Sequence, residues 1–397
     1  MSTTPIKVQF FLTYGVLGSL SPIAALVLEG KGFTPWQFGV TLAIASLGLL
    51  FSPVLVAWLA DRKVDTRKIL RAVFALAAIA LSAVYFLEDI WAITACWALY
   101  SICYVPTLPL LDGYYFNHER EHGAGAAGAD GGYQFVRVWG TVGFLVPSAA
   151  LYFIILRTDS YQGAIWCAVA WCGLSFAGTF LLGPSTIAGG VRKKAPTLSA
   201  IRVLFSPAAL PMCIGLFFVY VAAAAYYPVL SVFLKDEVKV GKEWVAIVMS
   251  LGVAIEIGYL FGLGPLRRLL RIRGLMLIGL TSMGLRLAAV AMFPTLGMSI
   301  AIQFLHGLEI LAMFVVPVIY LDRVAGDGFR NSIQGAFTIL ITVPTRLIGP
   351  LMAAGIRDRF GVSAVLYTSA ALVGLGMVIL LIFFKPKPAP VSERRSA

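Results

Sequence analysis

SPAALPMCIGLFFVYVAAAAYYPVLSVFL, residues 206–234, runs for 29 positions without a charged side chain. At about 1.5 Å per residue, a helix of that length more than covers the roughly 30 Å hydrocarbon core of a bilayer. A lone strand in lipid would leave its backbone polar groups unpaired, so the stretch reads as a membrane-spanning helix. Working outward, similar blocks lie at 6–28, 35–60, 69–87, 91–115, 135–156 and 163–183 before it. Others lie at 243–265, 275–293, 295–321, 335–355 and 362–384 after it. The expected fold class is an all-α membrane protein with twelve transmembrane helices.

Composition agrees. The 397 residues are 59% apolar and only 13% charged, with a mean hydropathy of +0.89. A chain folding in water needs far more polar surface than that. The net charge of +12 would suggest nucleic acid in a soluble protein. Here the cations sit in short segments between apolar blocks, so no nucleic-acid partner is expected. On one set of these segments there are 21 Lys and Arg residues, on the opposite set 7. That bias places both termini in the cytoplasm of an inner-membrane protein, with lipid as the surrounding solvent. The first block, with almost no positive residues before it, reads as a retained span rather than a cleaved leader.

The five cysteines (Cys96, Cys103, Cys167, Cys172, Cys213) fall inside apolar blocks with no C-x-x-C pair, so they read as packing residues, with no metal or other cofactor expected. No H-E-x-x-H or G-x-S-x-G motif marks an enzyme. The glycine-rich 123–128 lacks the Lys-Ser/Thr of a phosphate cradle and reads as a connector.

The polar stretch 185–205 separates six spans from six. Ala60-Asp61-Arg62-Lys63 follows the second span and Leu266-Arg267-Arg268 the eighth, about 205 residues later. Leu111-Asp112-Gly113 closes the fourth span and Leu321-Asp322-Arg323 the tenth, 210 residues later. The expected domains are two six-helix bundles, 1–184 and 206–384, joined by a cytoplasmic linker at 185–205 and followed by a disordered tail at 385–397. Two such bundles, related by an axis along the membrane normal, form a known transporter plan with the substrate between them.

Charges at half depth are costly, so they normally face a cavity or a partner. Glu256 lies in the eighth span and Glu309 in the tenth, with His306 almost one turn away. Either carboxyl group could carry a coupling proton, or could form a static pair with Arg286 or Arg346. Those two arginines, each about twelve residues into a span, read as structural partners. Arg137 closes the cytoplasmic end of the fifth span and either snorkels or binds solute. Gly140 and Gly143 behind it would admit a close helix. Asp112 reads as an interfacial cap or pair. Asp61 and Arg62, with Lys63, Arg67 and Lys68, form either cytoplasmic ion pairs that gate the carrier or topogenic charge. Tyr226 and Tyr227 read as belt or packing residues.

These stretches resemble the major facilitator superfamily, and within it the nucleoside:proton symporters, with galactoside and phenylpropionate permeases as neighbours. The likeness rests on Leu59-Ala60-Asp61-Arg62, on Val105-Pro106-Thr107-Leu108, on Arg137-Val138-Trp139-Gly140-Thr141-Val142-Gly143-Phe144 and on Gln334-Gly335-Ala336-Phe337. The resemblance implies a major facilitator fold and a monomeric carrier of a small molecule coupled to protons. It matches Arg137, Thr141 and Phe144 to pocket positions and Glu256 to the acidic residue of the eighth span. Elsewhere the chain departs. Tyr220 and Ala223 stand where the family has glutamine and asparagine, Val253 replaces a polar residue, and Glu309 is offset by two from the acidic position, which falls on Leu311. A nucleoside is the first substrate class implied. A sugar or aromatic acid, or export by the same fold, is the alternative.

Overall fold

The computed structural model describes residues 3–50, 64–122, 132–184, 198–325 and 330–386. Asp61 and Arg62, the 123–128 connector, most of the linker and nearly all of the tail lie outside the described residues. Within them, every regular element is helical. Among the described residues nine helices are long and apolar enough to cross a membrane: α1 Thr4–Glu29, α3 Thr66–Phe86, α4 Ile90–Glu119, α5 Phe135–Thr158, α7 Leu210–Asp236, α9 Leu269–Met292, α10 Leu296–Ala325, α11 Ile333–Phe360 and α12 Val362–Phe383. The shorter apolar helices α2 Pro35–Leu50 and α6 Gly163–Gly178 and the 17-residue α8 Val245–Phe261 fill the remaining places. Large apolar side chains such as Ile79, Phe153, Phe180 and Phe383 point outward and stay exposed, as lipid-facing surface requires.

Helix starts follow local sequence. Thr34 and Gln37 form a reciprocal capping box ahead of Pro35, with bonds of 3.3 and 2.9 Å. Asp65 and Asp89 cap α3 and α4 through the backbone N–H groups of Arg67 and Ala92. The cation-bearing segment between the eighth and ninth spans is itself helical. A single helix runs Leu263–Met292, broken only at Arg271, whose φ of 55° is left-handed. Leu266 and Leu270 stand four residues apart there, on one face of the helix.

The chain divides into two compact units, Met1–Arg192 with Leu230–Ser250, and Lys193–Val229 with Leu251–Ala397. In the first, α1 packs against α5 and α6, α3 against α4 and α6, and α2 against α4. Gly143 of α5 lies directly on the Phe11 backbone of α1, where any Cβ would collide with the Phe11 carbonyl. The helix that the Gly140/Gly143 pair admits is therefore α1. Buried polar groups are tied across helices: Gln9 donates to the Ser175 carbonyl at 3.1 Å, Tyr104 donates to the Thr13 carbonyl at 2.9 Å, and Thr41 bonds Thr94 at 2.8 Å. The segment Leu230–Ser250 is held in this unit by a Tyr152–Trp244 edge contact at 4.9 Å, a Lys242–Asp159 ion pair at 2.8 Å, and a bond between the Ser148 and Ser250 hydroxyls.

In the second unit α9 packs against α10 and α12, and α11 against α12. Besides the break at Arg271, α10 and α11 depart from regular winding. α10 contains a 3-10 turn at Ile302–Leu305 and a π turn at Leu311–Val315, and α11 contains a π turn at Thr338–Thr342. Such turns often mark functional sites.

Candidate functional site

The second unit buries a set of polar side chains in an apolar span region. Glu309 is fully buried, and Arg286, Gln303, His306 and Tyr226 nearly so. Their convergence is built by the helices that carry them. Gly279 on α9 has no room for a side chain, because Leu308 of α10 lies against it. Arg286 follows Gly279 by seven residues, two turns along the same face, and so points at α10. On α10 the 3-10 turn brings residues three apart almost into line, which aligns Gln303 with His306. Glu309 follows within one turn. Tyr226 and Tyr227 come from α7 just before Pro228, a residue that cannot donate to the helix ladder.

Arg286 is the hub. Its Nη1 forms an ion pair with Glu309 Oε2 and lies 3.0 Å from His306 Nδ1 and 3.5 Å from Tyr226 Oη; its Nη2 donates to Gln303 Oε1 at 3.3 Å. Both tyrosine hydroxyls donate to the other carboxylate oxygen, Glu309 Oε1. Their rings stack at 4.3 Å, and the Tyr227 ring meets the His306 imidazole edge-on at 6.0 Å. Removing two ions from water costs several kcal/mol each, which a bare pair does not recover. Here four extra polar groups share that load. One donor, Arg286 Nε, is buried without a hydrogen bond among the described residues.

Of the residues singled out in the sequence, Glu309, His306 and Arg286 are thus brought together. Arg346 is not with them. It was expected in a structural pair, but it makes no hydrogen bond or ion pair among the described residues, because Glu309 is held by Arg286. Glu256 is half-buried on α8. Tyr220 is buried, donates to the Met313 carbonyl in the π turn of α10, and stacks on Phe314 at 5.9 Å. Tyr226, Tyr227 and Gln303 are the members that sequence reading missed. The spacing Gln303, His306, Glu309 was the available signal, since three polar residues at steps of three in an apolar span share a face.

In the first unit the guanidinium of half-buried Arg137 lies over the Tyr14 ring, 4.3 Å from its centre. Thr141 is buried one turn on, and Phe144 is half-buried. Asp112 accepts a 2.7 Å hydrogen bond from Tyr133. No group of three or more His, Cys, Asp and Glu side chains suits a metal among the described residues.

The MFS_1 like family model matches residues 3–368. The chain is 21% identical over 412 residues to "Putative nucleoside transporter YegT" of Escherichia coli K12, covering 97% of this chain and 94% of that one. Two crystal structures of the nucleoside transporter NupG, one of them a point mutant, superpose with TM-scores of 0.80 and 0.85 at 17% identity. They cover 98% and 96% of this chain and all of theirs. Helices of bilayer length, lipid-facing apolar surface and a match along nearly the whole sequence lead to one assignment: the chain belongs to the MFS_1 like family and is a membrane-embedded transporter of the major facilitator superfamily.

Proposed function

We propose that the protein is a proton-coupled symporter that carries a small, ring-bearing polar solute of the nucleoside kind by alternating access. It acts as a monomer in the inner (plasma) membrane with both termini cytoplasmic. The two six-helix halves, 1–184 and 206–384, rock about the linker 185–205, and the tail 385–397 is a cytoplasmic end. The similarity to YegT and NupG supports the solute class. The observation that carries the coupling is the fully buried Glu309, whose carboxylate is shared by a guanidinium and two phenol hydroxyls.

A proton arriving on Glu309 removes the negative half of the pair. Arg286 then falls back on His306, Gln303 and Tyr226, which already surround it. The cluster has two sets of bonds for two charge states, and a conformational change that favours one set is thereby linked to the proton. On the solute side, Arg137 and Thr141 offer hydrogen bonds and Phe144 offers packing in one half. Tyr220 and Glu256 line the other half. Asp112, together with Asp61 and Arg62, belongs to the cytoplasmic gating set.

Proteoliposomes carrying an inward proton gradient test this reading with labelled uridine. Wild-type protein should accumulate the label above its external concentration. Glu309→Gln should lose accumulation yet still exchange internal for external solute, which also shows that the variant is folded. Full gradient-driven accumulation by Glu309→Gln would overturn the proposal.

A further inference from the structure

Arg346 is the second arginine inside a span of the C-terminal unit, and its surroundings differ from those of Arg286. It stands 13 residues from the start of α11 and 14 from its end. At about 1.5 Å per residue that is roughly 20 Å from either end, too far for the side chain to reach an interface. Its direction is set by Gly349, three residues on. A Cβ at Gly349 would meet the Ala224 Cβ at 2.6 Å and the Val221 carbonyl oxygen at 2.8 Å, so α11 and α7 touch there. Arg346 lies one turn earlier on the adjoining face. Its guanidinium is within electrostatic range of the Tyr220 and Tyr227 hydroxyls, both on α7.

Those neighbours are neutral, and among the described residues Arg346 has no ion pair and no hydrogen bond. Its side chain is exposed. Among the described residues the one buried carboxylate of the unit, Glu309, is already matched by Arg286. Among the described residues Arg346 is therefore an intramembrane positive charge without an ionic partner. A charge so placed is costly to retain unless water or a ligand meets it. Beside it lies an aromatic platform. Tyr220 and Phe314 stack with an interplanar angle of 24°, Phe337 meets Tyr220 edge-on, and Phe314 is 42% exposed. Tyr220 gives its hydroxyl to Met313, so it contributes a ring face and not a free donor.

We infer that Arg346 is the anchor for an oxyanion on the transported solute, with the ring of that solute resting on the Tyr220–Phe314 platform. The guanidinium fork matches the paired oxygens of a carboxylate or a phosphate. This rests on the transporter reading above and narrows it: among ring compounds of the nucleoside kind, those that carry an anionic group are bound in preference to their neutral counterparts.

Matched pairs of probes test the inference on purified, detergent-solubilised protein. Orotate is compared with uracil, and uridine 5′-monophosphate with uridine, by ligand-induced thermal stabilisation and equilibrium binding. At least one acid should bind about tenfold or more tightly than its neutral partner, as expected for a charged hydrogen bond. Whether orotate or the monophosphate gains identifies carboxylate or phosphate. Arg346→Gln should erase that preference, and Arg346→Lys should keep part of it. Unchanged unliganded melting of both variants excludes misfolding, and if Arg346→Gln melts early the Lys variant carries the comparison. The inference is overturned if neither acid binds wild-type protein, if the neutral partners bind equally well, or if Arg346→Gln retains the preference. Binding needs no gradient, so these outcomes are separate from the accumulation assay; a probe that binds but is never accumulated would count against the symport reading alone.

Discussion

Arg286 on α9 and Glu309 on α10 form an ion pair whose side chains keep 3% and 0% of their exposure. The pair is held between close helices, and each member has further polar partners. Ion pairs at the protein's edge, such as Lys242–Asp159 at 43% and 83%, are of another kind, open to water and weak.

The first consequence concerns single and double neutralisation. Glu309→Gln or Arg286→Gln alone strands the opposite charge and should destabilise by about 3–5 kcal/mol. The double variant strands nothing and should lose clearly less than the two single losses combined. Thermal unfolding of the four proteins in one detergent gives the coupling. Additive losses would mean that the two groups do not act as a pair.

Tyr226 and Tyr227 both donate to Glu309 Oε1, so each covers for the other. Tyr226→Phe and Tyr227→Phe should each cost about 1 kcal/mol. The double change leaves that oxygen without either donor and should cost more than the sum. A melting series resolves this, and a double variant as stable as either single one would contradict the shared-acceptor geometry.

A bulky residue in place of Gly143 must push α1 off α5. Gly143→Val should therefore destabilise by about 1–3 kcal/mol, the usual range for overpacking. Gly173 on α6 has nothing within 4 Å of a new Cβ. Gly173→Ala should stabilise by about 0.5–1 kcal/mol through backbone entropy alone. Opposite signs in the two melting curves are the expected result.

Tyr14 supports the guanidinium of Arg137 from below. If Arg137 binds solute, Tyr14→Leu removes a contact of about 0.5–2 kcal/mol that orients it. Uptake should then show a raised KM with the maximal rate little changed. A drop in maximal rate at constant KM would place Tyr14 in the transport motion instead.

Much of this architecture was legible from sequence because lipid admits few solutions. The helical blocks follow from hydropathy, and the caps at Thr34, Asp65 and Asp89 follow from residue type. Costly charges marked Glu309, His306 and Arg286 in advance. Their pairing was not decidable, because sequence gives the face of each span but not how that face is turned toward its neighbours. Arg286 and Arg346 looked alike for that reason, yet among the described residues only Arg286 has an ionic partner. Tyr226 and Tyr227 passed for belt residues because their hydroxyls gain meaning only from the acid across the helix gap.

The π turn of α10 bears on how this span can change over evolutionary time. Bonding five residues apart winds an additional residue into the path from Glu309 to Tyr320. Adding or removing one residue in a regular turn of the span would swing everything downstream by about 100°, whereas the wide turn at 311–315 has already absorbed its extra residue and leaves the faces on either side in register. Closing that turn would leave Tyr320 facing the Ala208 carbonyl it reaches at 2.9 Å, and would disturb the Met313 carbonyl that accepts from Tyr220. Length is thus more forgiving at 311–315 than elsewhere in the span: a one-residue deletion there would cost the Met313–Tyr220 bond, while the same deletion in a regular turn between Glu309 and Tyr320 would swing the one away from the direction it now holds relative to the other.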